Sequence, residues 1–200
     1  MKMYSYVVHH DDGHAPNPFH GCCTLVRCKF GSYNKNGVFI RNLIEMAEVN
    51  DWVIGTGGVS DSSSGNGKII YAMMVTKKLT LREYFNNERF SKKRPIQTDY
   101  KFSLGDNIKK DISNPNRFAL ISDHFYYFGR NAVQIPKKFM SHPKTPLEKK
   151  GPRYRKDFDD HFINEFTNWI QKTYKAGLYG DPCTYELNSI SFKNLKRRNC

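Results

Sequence analysis

The order of apolar and polar positions predicts a mixed α and β chain. Tyr4 to His10 reads as a first strand, and Cys22 to Phe30 as a second in which Thr24, Val26 and Cys28 share one face and Leu25 takes the other. Gly31 to Gly37 is turn-rich. Ile40, Leu43, Ile44 and Ala47 recur at helical spacing and predict an amphipathic helix from Val38 to Val49, with Arg41 near its first turn. The segment Asp51 to Gly58 (DWVIGTGG) is a short strand running into glycines, and the Ser/Gly loop SDSSSGNG follows it. KIIYAMMVTKKL, from Lys68, is apolar on both faces and predicts one central strand.

The second half continues the pattern. Thr80 with Glu83 three residues on is a capping-box signal for a short helix ending in Tyr84-Phe85. Gly105 to Asn107 (GDN) reads as a turn, while FALIS (Phe118 to Ser122), FYYFG (Phe125 to Gly129) and Ala132 to Ile135 read as strands, the last stopped by Pro136. Phe158, Phe162, Ile163, Phe166, Trp169 and Ile170 form one stripe between Asp157 and Ile170, so a C-terminal amphipathic helix packs on the core, with Gly177 as its stop. The fold class is α+β, without an internal repeat.

Composition narrows the partners. Two hundred residues fit one compact domain with a decorated core. No apolar run approaches a membrane span, the N-terminus lacks the apolar segment of a signal peptide, and the five cysteines follow no disulfide spacing. A cytoplasmic, reducing setting is expected. The net charge of +13, from 32 Lys+Arg against 19 Asp+Glu, draws polyanions, of which nucleic acid is the commonest. Lys137 to Lys156 is basic, with Glu148 its one acid, and is either a phosphate-tracking surface or a solvated loop.

Chemistry-bearing residues crowd into Tyr6 to Lys29, which holds four of the seven histidines and three of the five cysteines. Metal-ligand spacing is absent, because adjacent Cys22 and Cys23 point to opposite faces of a strand. No metal and no cofactor are expected. Pro16 and Pro18 stiffen the loop and aim Asn17. Asp11 and Asn17 together suit the edge of a base, Asp11 accepting and Asn17 both donating and accepting; an Asx-turn that steadies the loop uses the same residues.

Trp52, Tyr126 and Tyr127 are candidates for a stacking wall, with Tyr126 or Tyr127 the expected exposed ring, and core packing is the plainer role for such aromatics. Asp106 and Asn107 place an acid beside an amide, at a pocket rim or in a turn. For phosphate, the candidates are Lys29, Arg41, the backbone of Gly55, Thr56 and Gly57, and the basic side chains Lys149, Lys150, Arg153 and Arg155. The glycine run is not a Walker loop, since Lys68 is too distant. A catalytic role would fall to Asp11 as base or nucleophile and to Cys28.

The order of strand, glycine run, loop, apolar strand, short helix, FALIS, FYYFG and QIP resembles PUA-like barrels of the EVE and ASCH type, with Asn50 where those place a glycine. More specifically, VVHHDDGHAPNPF, Cys28-Lys29, Arg41, DWVIGTG, EYF and GDN resemble the bacterial and phage family called nucleotide-modification-associated domain 2, over roughly Tyr4 to Pro136. The pattern departs at His9, His10, Asp12 and Lys109. The resemblance implies a PUA-like mixed β-barrel with flanking helices and a link to base-modification systems.

The expected organisation is a core over residues 1–136, a basic linker over 137–156, and a C-terminal helix and tail over 157–200. The expected function is binding of nucleic acid or a nucleotide, with recognition of a modified base in a modification or defence pathway. Two alternatives stand beside it: an enzyme that makes or removes a modified nucleotide through Asp11 and Cys28, and a scaffold docking a partner protein of a modification system through the basic segment.

Overall fold

The computed structural model describes residues 1–93, 106–142 and 145–184. Strands β1 (Met3–Val8), β2 (Cys23–Val26), β3 (Ser32–Tyr33) and β4 (Phe39–Ile40) lead to helix α1 (Leu43–Met46). Then come β5 (Trp52–Gly57), β6 (Lys68–Met74), β7 (Lys77–Thr80), α2 (Leu81–Asn86), a 3-10 turn over Glu88–Lys93 and α3 (Asp106–Ser113). The chain continues through β8 (Phe118–Ser122), β9 (His124–Tyr127), β10 (Val133–Gln134), α4 (Lys137–Met140), α5 (Asp160–Thr173) and β11 (Gly177–Leu178).

The largest sheet has the order β1-β5-β6-β9-β11, with β10 also paired to β6; β2-β8-β7 form a second sheet and β3-β4 a hairpin. β1 runs parallel to β5, and β5 antiparallel to β6. Alternation along β5 and β9 then sends side chains to opposite faces of the large sheet. Val53, Phe125 and Tyr127 pack with Leu25 and Leu120 of the second sheet and with Leu43 and Ile44 of α1. Trp52, Ile54 and Tyr126 pack with Phe162, Phe166 and Ile170 of α5. A third cluster joins Cys22, Ala119 and Ile121 on the far side of the second sheet to Leu81 and Tyr84 of α2. The order of layers is α5, large sheet, small sheet, α2, an α+β arrangement whose sheets form no closed barrel among the described residues.

Several elements differ from expectation for identifiable reasons. The helix predicted over Val38 to Val49 is a single turn, because a reciprocal Asn42/Glu45 capping box opens it at Leu43 while Ala47 leaves in extended geometry. Phe39 and Ile40 go instead to the hairpin with Ser32 and Tyr33. The apolar run from Lys68 is two strands in two sheets. At its break Val75 bonds to Asn50 and Asp51, and Thr76 N–H donates to Ile121 O at 2.8 Å. Asp106 and Asn107 open helix α3 and do not form a turn, while Gly105 and the Asp106 and Asn107 side chains lie outside the described residues. Helix α5 stops at Thr173, and Gly177 belongs to β11 beside β9.

The basic segment is attached to the sheet. Arg155 exchanges backbone hydrogen bonds with Ser5 on β1, at 2.8 and 3.0 Å, while Phe139 and Leu147 are fully buried in the α5 cluster. No helix among the described residues is long and apolar enough to cross a membrane.

Gly55 is set by close approach. A Cβ there would stand 2.2 Å from the Tyr71 ring and 2.7 Å from Val8, and the ring is fixed by its hydroxyl donating to Tyr6 Oη at 2.8 Å. Gly55→Ala is expected to lower unfolding stability by about 1–3 kcal/mol in urea denaturation. A change below about 0.5 kcal/mol, the range of ordinary surface substitutions, would show that this packing does not constrain the sheet.

Candidate functional site

After β1 the chain emerges as exposed His9 and His10, then turns inward at Asp11, which is fully buried. The Tyr127 hydroxyl donates to Asp11 Oδ1, and the Cys183 N–H donates to Oδ2 at 3.2 Å. Its backbone is held as well, the N–H donating to Ser62 O at 2.9 Å and the carbonyl accepting from Thr184 N–H at 3.0 Å. Burial raises the Asp11 carboxyl above its ordinary range, and the bonds from Tyr127 and Cys183 offset that in part. Asp11 is thus a structural anchor in this geometry, with both oxygens engaged.

Asn17 is also turned inward. Its backbone pairs with Thr24 at 2.8 and 2.9 Å, and its Oδ1 accepts from Phe19 N–H at 3.2 Å in an Asx-turn. The same oxygen accepts from Lys93 Nζ at 3.1 Å. Lys93 is 8% exposed and donates further to Asn17 O at 2.9 Å and Cys22 O at 2.7 Å. Its burial lowers its pKa to about 8, against some support from the neighbouring cysteines. Sequence reasoning missed this residue, since nothing local separates Lys93 from Lys92 in a basic run.

The expected aromatic wall lies in the core. Trp52 stacks on Tyr126 with ring centroids 6.3 Å apart, under α5, and both Tyr126 and Tyr127 are buried, so neither is the exposed ring. The reason is that both faces of the large sheet are covered. Gly55, Thr56 and Gly57 are likewise buried within β5, where Thr56 Oγ1 donates to Tyr6 O at 3.2 Å and a Cβ on Gly57 would meet Gly65 O at 1.8 Å. Their backbone belongs to the sheet and its neighbouring loop.

What the fold does bring to the surface is the turn after β2. Arg27 and Lys29 both have left-handed backbone, at φ 64° and 61°, a conformation uncommon outside glycine and found preferentially at functional positions. This turn borders three clefts. On one side Arg27 and Cys28 face a cleft of about 250 Å³. Its apolar wall is Ala15, Val26, Tyr84 and Phe85, and its polar groups are His10, Asp12, His14 and the edge of Lys93. Arg27 is partly neutralised there by Asp111 at 3.4 Å. Cys28 has its thiol raised by burial, with Lys29 and a bond to Tyr6 opposing, which makes it a poor nucleophile.

On the other side Lys29 joins Lys149 and Lys150 around a cleft of about 500 Å³ whose lining includes Gly58 and Val59. Phe30, Gly31 and Ser32 lead into a third cleft of about 400 Å³, where Arg41 meets Arg153, Lys156 and one acid, Asp157. The structure therefore brings together Lys29 with Lys149 and Lys150, and Arg41 with Arg153. Arg155 contributes its backbone to the β1 edge. No group of three or more His, Cys, Asp or Glu side chains among the described residues is arranged to hold a metal ion.

Fold and clefts together define an α+β protein with a small aromatic and polar pocket beside clustered cations. The model of nucleotide modification associated domain 2 matches residues 1–119 and again 109–189, so the chain belongs to that family. The match runs well past Pro136, where the sequence resemblance ended, and includes α5. It associates the protein with nucleotide modification. Neither a curated protein nor a solved structure matches the chain.

Lys93 supplies a pH test of the pocket wall. Its folded pKa of about 8 lies below its ordinary 10.5, so between these values the unfolded chain holds more proton, and this group's contribution to stability rises with pH. Lys93→Met lacks that contribution. The stability of the native protein minus that of Lys93→Met should grow between pH 8 and 10.5 by at most about 3 kcal/mol in urea melts. A flat difference would mean that Lys93 is solvated.

Proposed function

We propose that this protein binds a nucleotide or nucleic acid and recognises a base in the cleft between Cys28 and Phe85, within a DNA-modification or defence pathway. The observation that carries the proposal is the Arg27–Lys29 turn, which sets an aromatic and polar pocket against a lysine-lined cleft. A nucleotide has the same two parts, a flat ring with hydrogen-bonding edges and an anionic phosphate. Phe85 offers a ring for stacking, and Asp12, His14 and His10 offer acceptors and donors for a base edge. Family membership supports the ligand class.

A modified base is the finer part of the proposal, as is a PUA-like origin for the open pair of sheets. The enzymatic alternative has less support, because Asp11 is fully buried with each oxygen already accepting a hydrogen bond and the Cys28 thiol is pushed up by burial. Calorimetric titration with a panel of ordinary and modified nucleosides and nucleoside monophosphates tests the proposal. At least one should bind, and Phe85→Ala should weaken it roughly 5- to 150-fold, the worth of one base stack. Absence of binding across the panel, or binding indifferent to Phe85, overturns it.

A further inference from the structure

The two cationic clefts are lined by adjacent stretches of the same two chain segments. Lys29 faces Lys149 and Lys150 across the first, and Arg41 faces Arg153 across the second. The same two chain segments, one from Lys29 to Asn42 and one from Lys149 to Asp157, line both in succession. Lys150 and Arg153 are three residues apart, hence at most about 11 Å along the chain. That upper bound keeps the two cationic groups within reach of neighbouring phosphates of one strand. Asp157 is outnumbered in the second cleft by Arg41, Arg153 and Lys156.

Beside the second cleft stands the β3–β4 hairpin, which exposes apolar groups. Tyr33 is 56% exposed, Val38 55% and Ile40 52%, and Ile40 lines the cleft itself. The Tyr33 ring is braced by Phe39, with centroids 5.1 Å apart. Cations that follow a backbone, combined with an exposed ring, are what an unpaired strand requires, because its bases present their faces. A duplex hides those faces, and an acidic peptide has carboxylates in place of them.

We propose that the clefts form one groove for single-stranded nucleic acid, with successive phosphates at Lys29/Lys149/Lys150 and at Arg41/Arg153, and a base stacked on Tyr33. This rests on the nucleotide-binding proposal above and specifies the form of the ligand as a polymer with unpaired bases.

Fluorescence anisotropy on the full chain tests it, with a labelled twelve-nucleotide oligothymidylate, the same strand in a duplex, and thymidine monophosphate and polyglutamate as competitors, over roughly 50 to 300 mM salt. The single strand should bind more tightly than the duplex, and neither competitor should displace it at matched charge concentration. Replacing Arg41 and Arg153 together by Ala removes one phosphate contact and should flatten the slope of log K against log salt by about 0.7, the value per phosphate on a single strand. Tyr33→Ala should weaken binding roughly 5- to 150-fold with the slope unchanged. All three positions are exposed, and circular dichroism checks that the variants fold. Tighter duplex binding, displacement by the monophosphate or polyglutamate, or an unaltered slope in the double variant overturns the groove. Nucleoside binding that persists at the Phe85 cleft while oligonucleotide binding fails overturns the groove alone, whereas loss of both removes the nucleotide-binding proposal too.

Discussion

A carboxylate taken out of water must be met by hydrogen bonds, and at Asp11 this requirement ties together parts of the chain far apart in sequence. The Tyr127 hydroxyl comes from β9 and the Cys183 N–H from the segment after β11, while Asp11 itself ends the run out of β1. Both donors are neutral, so burial still raises the carboxyl, and the anchor's strength depends on both bonds being present. The segment that supplies Cys183 also covers the loop. Pro182 lies so close to Gly13 that a Cβ there would stand 2.7 Å away, at a backbone φ of 78° that glycine adopts without strain. Everything from Asp12 to Cys28 that faces the small cleft hangs from this fixed point.

Lys93 completes the opposite wall by the same means. Its three donors go to Asn17 and Cys22, which join the loop after Asp11 to the 3-10 turn following α2. Tyr84 and Phe85 are brought beside Cys28 as a consequence. Of the two buried ionisable groups, Lys93 reaches the lining of the cleft and Asp11 lies behind it, while the half-exposed Asp12 and His14 are part of the lining.

The sequence made the elements legible where a local rule was decisive. The α2 capping box, the α5 stripe and the opposed faces of Cys22 and Cys23 all follow from spacing. It misled where one pattern serves two structures. Helical spacing across Val38 to Val49 arises partly from a hairpin strand, and an unbroken apolar run conceals the passage of the chain between two sheets at Val75–Thr76. Among the candidate residues, the cations Lys29, Arg41, Lys149, Lys150 and Arg153 were legible by charge, and the structure groups them. Asp11, Asn17 and Trp52 stood out by residue type, but type does not distinguish a buried anchor from an exposed reader. That distinction depends on which sheet face is covered.

Net charge alone is therefore a poor guide to where an anion would sit. Lys78 pairs with Glu48, Lys138 with Glu165, Arg89 with Asp123, and Arg117 is shared between Asp111, Glu45 and the face of Phe30. Lys93 is spent on carbonyls. These cations have partners within the chain, some of the pairs at the surface, whereas Lys29, Lys149 and Lys150 line one open cleft, with Lys149 Nζ donating to the Lys150 carbonyl. Lys29 reaches that cleft from a turn in which Arg27 and Lys29 are both left-handed, Arg27 lining one cleft and Lys29 the other. Two left-handed residues in a short turn thereby separate an aromatic and polar cleft of about 250 Å³ from a lysine-lined cleft of about 500 Å³.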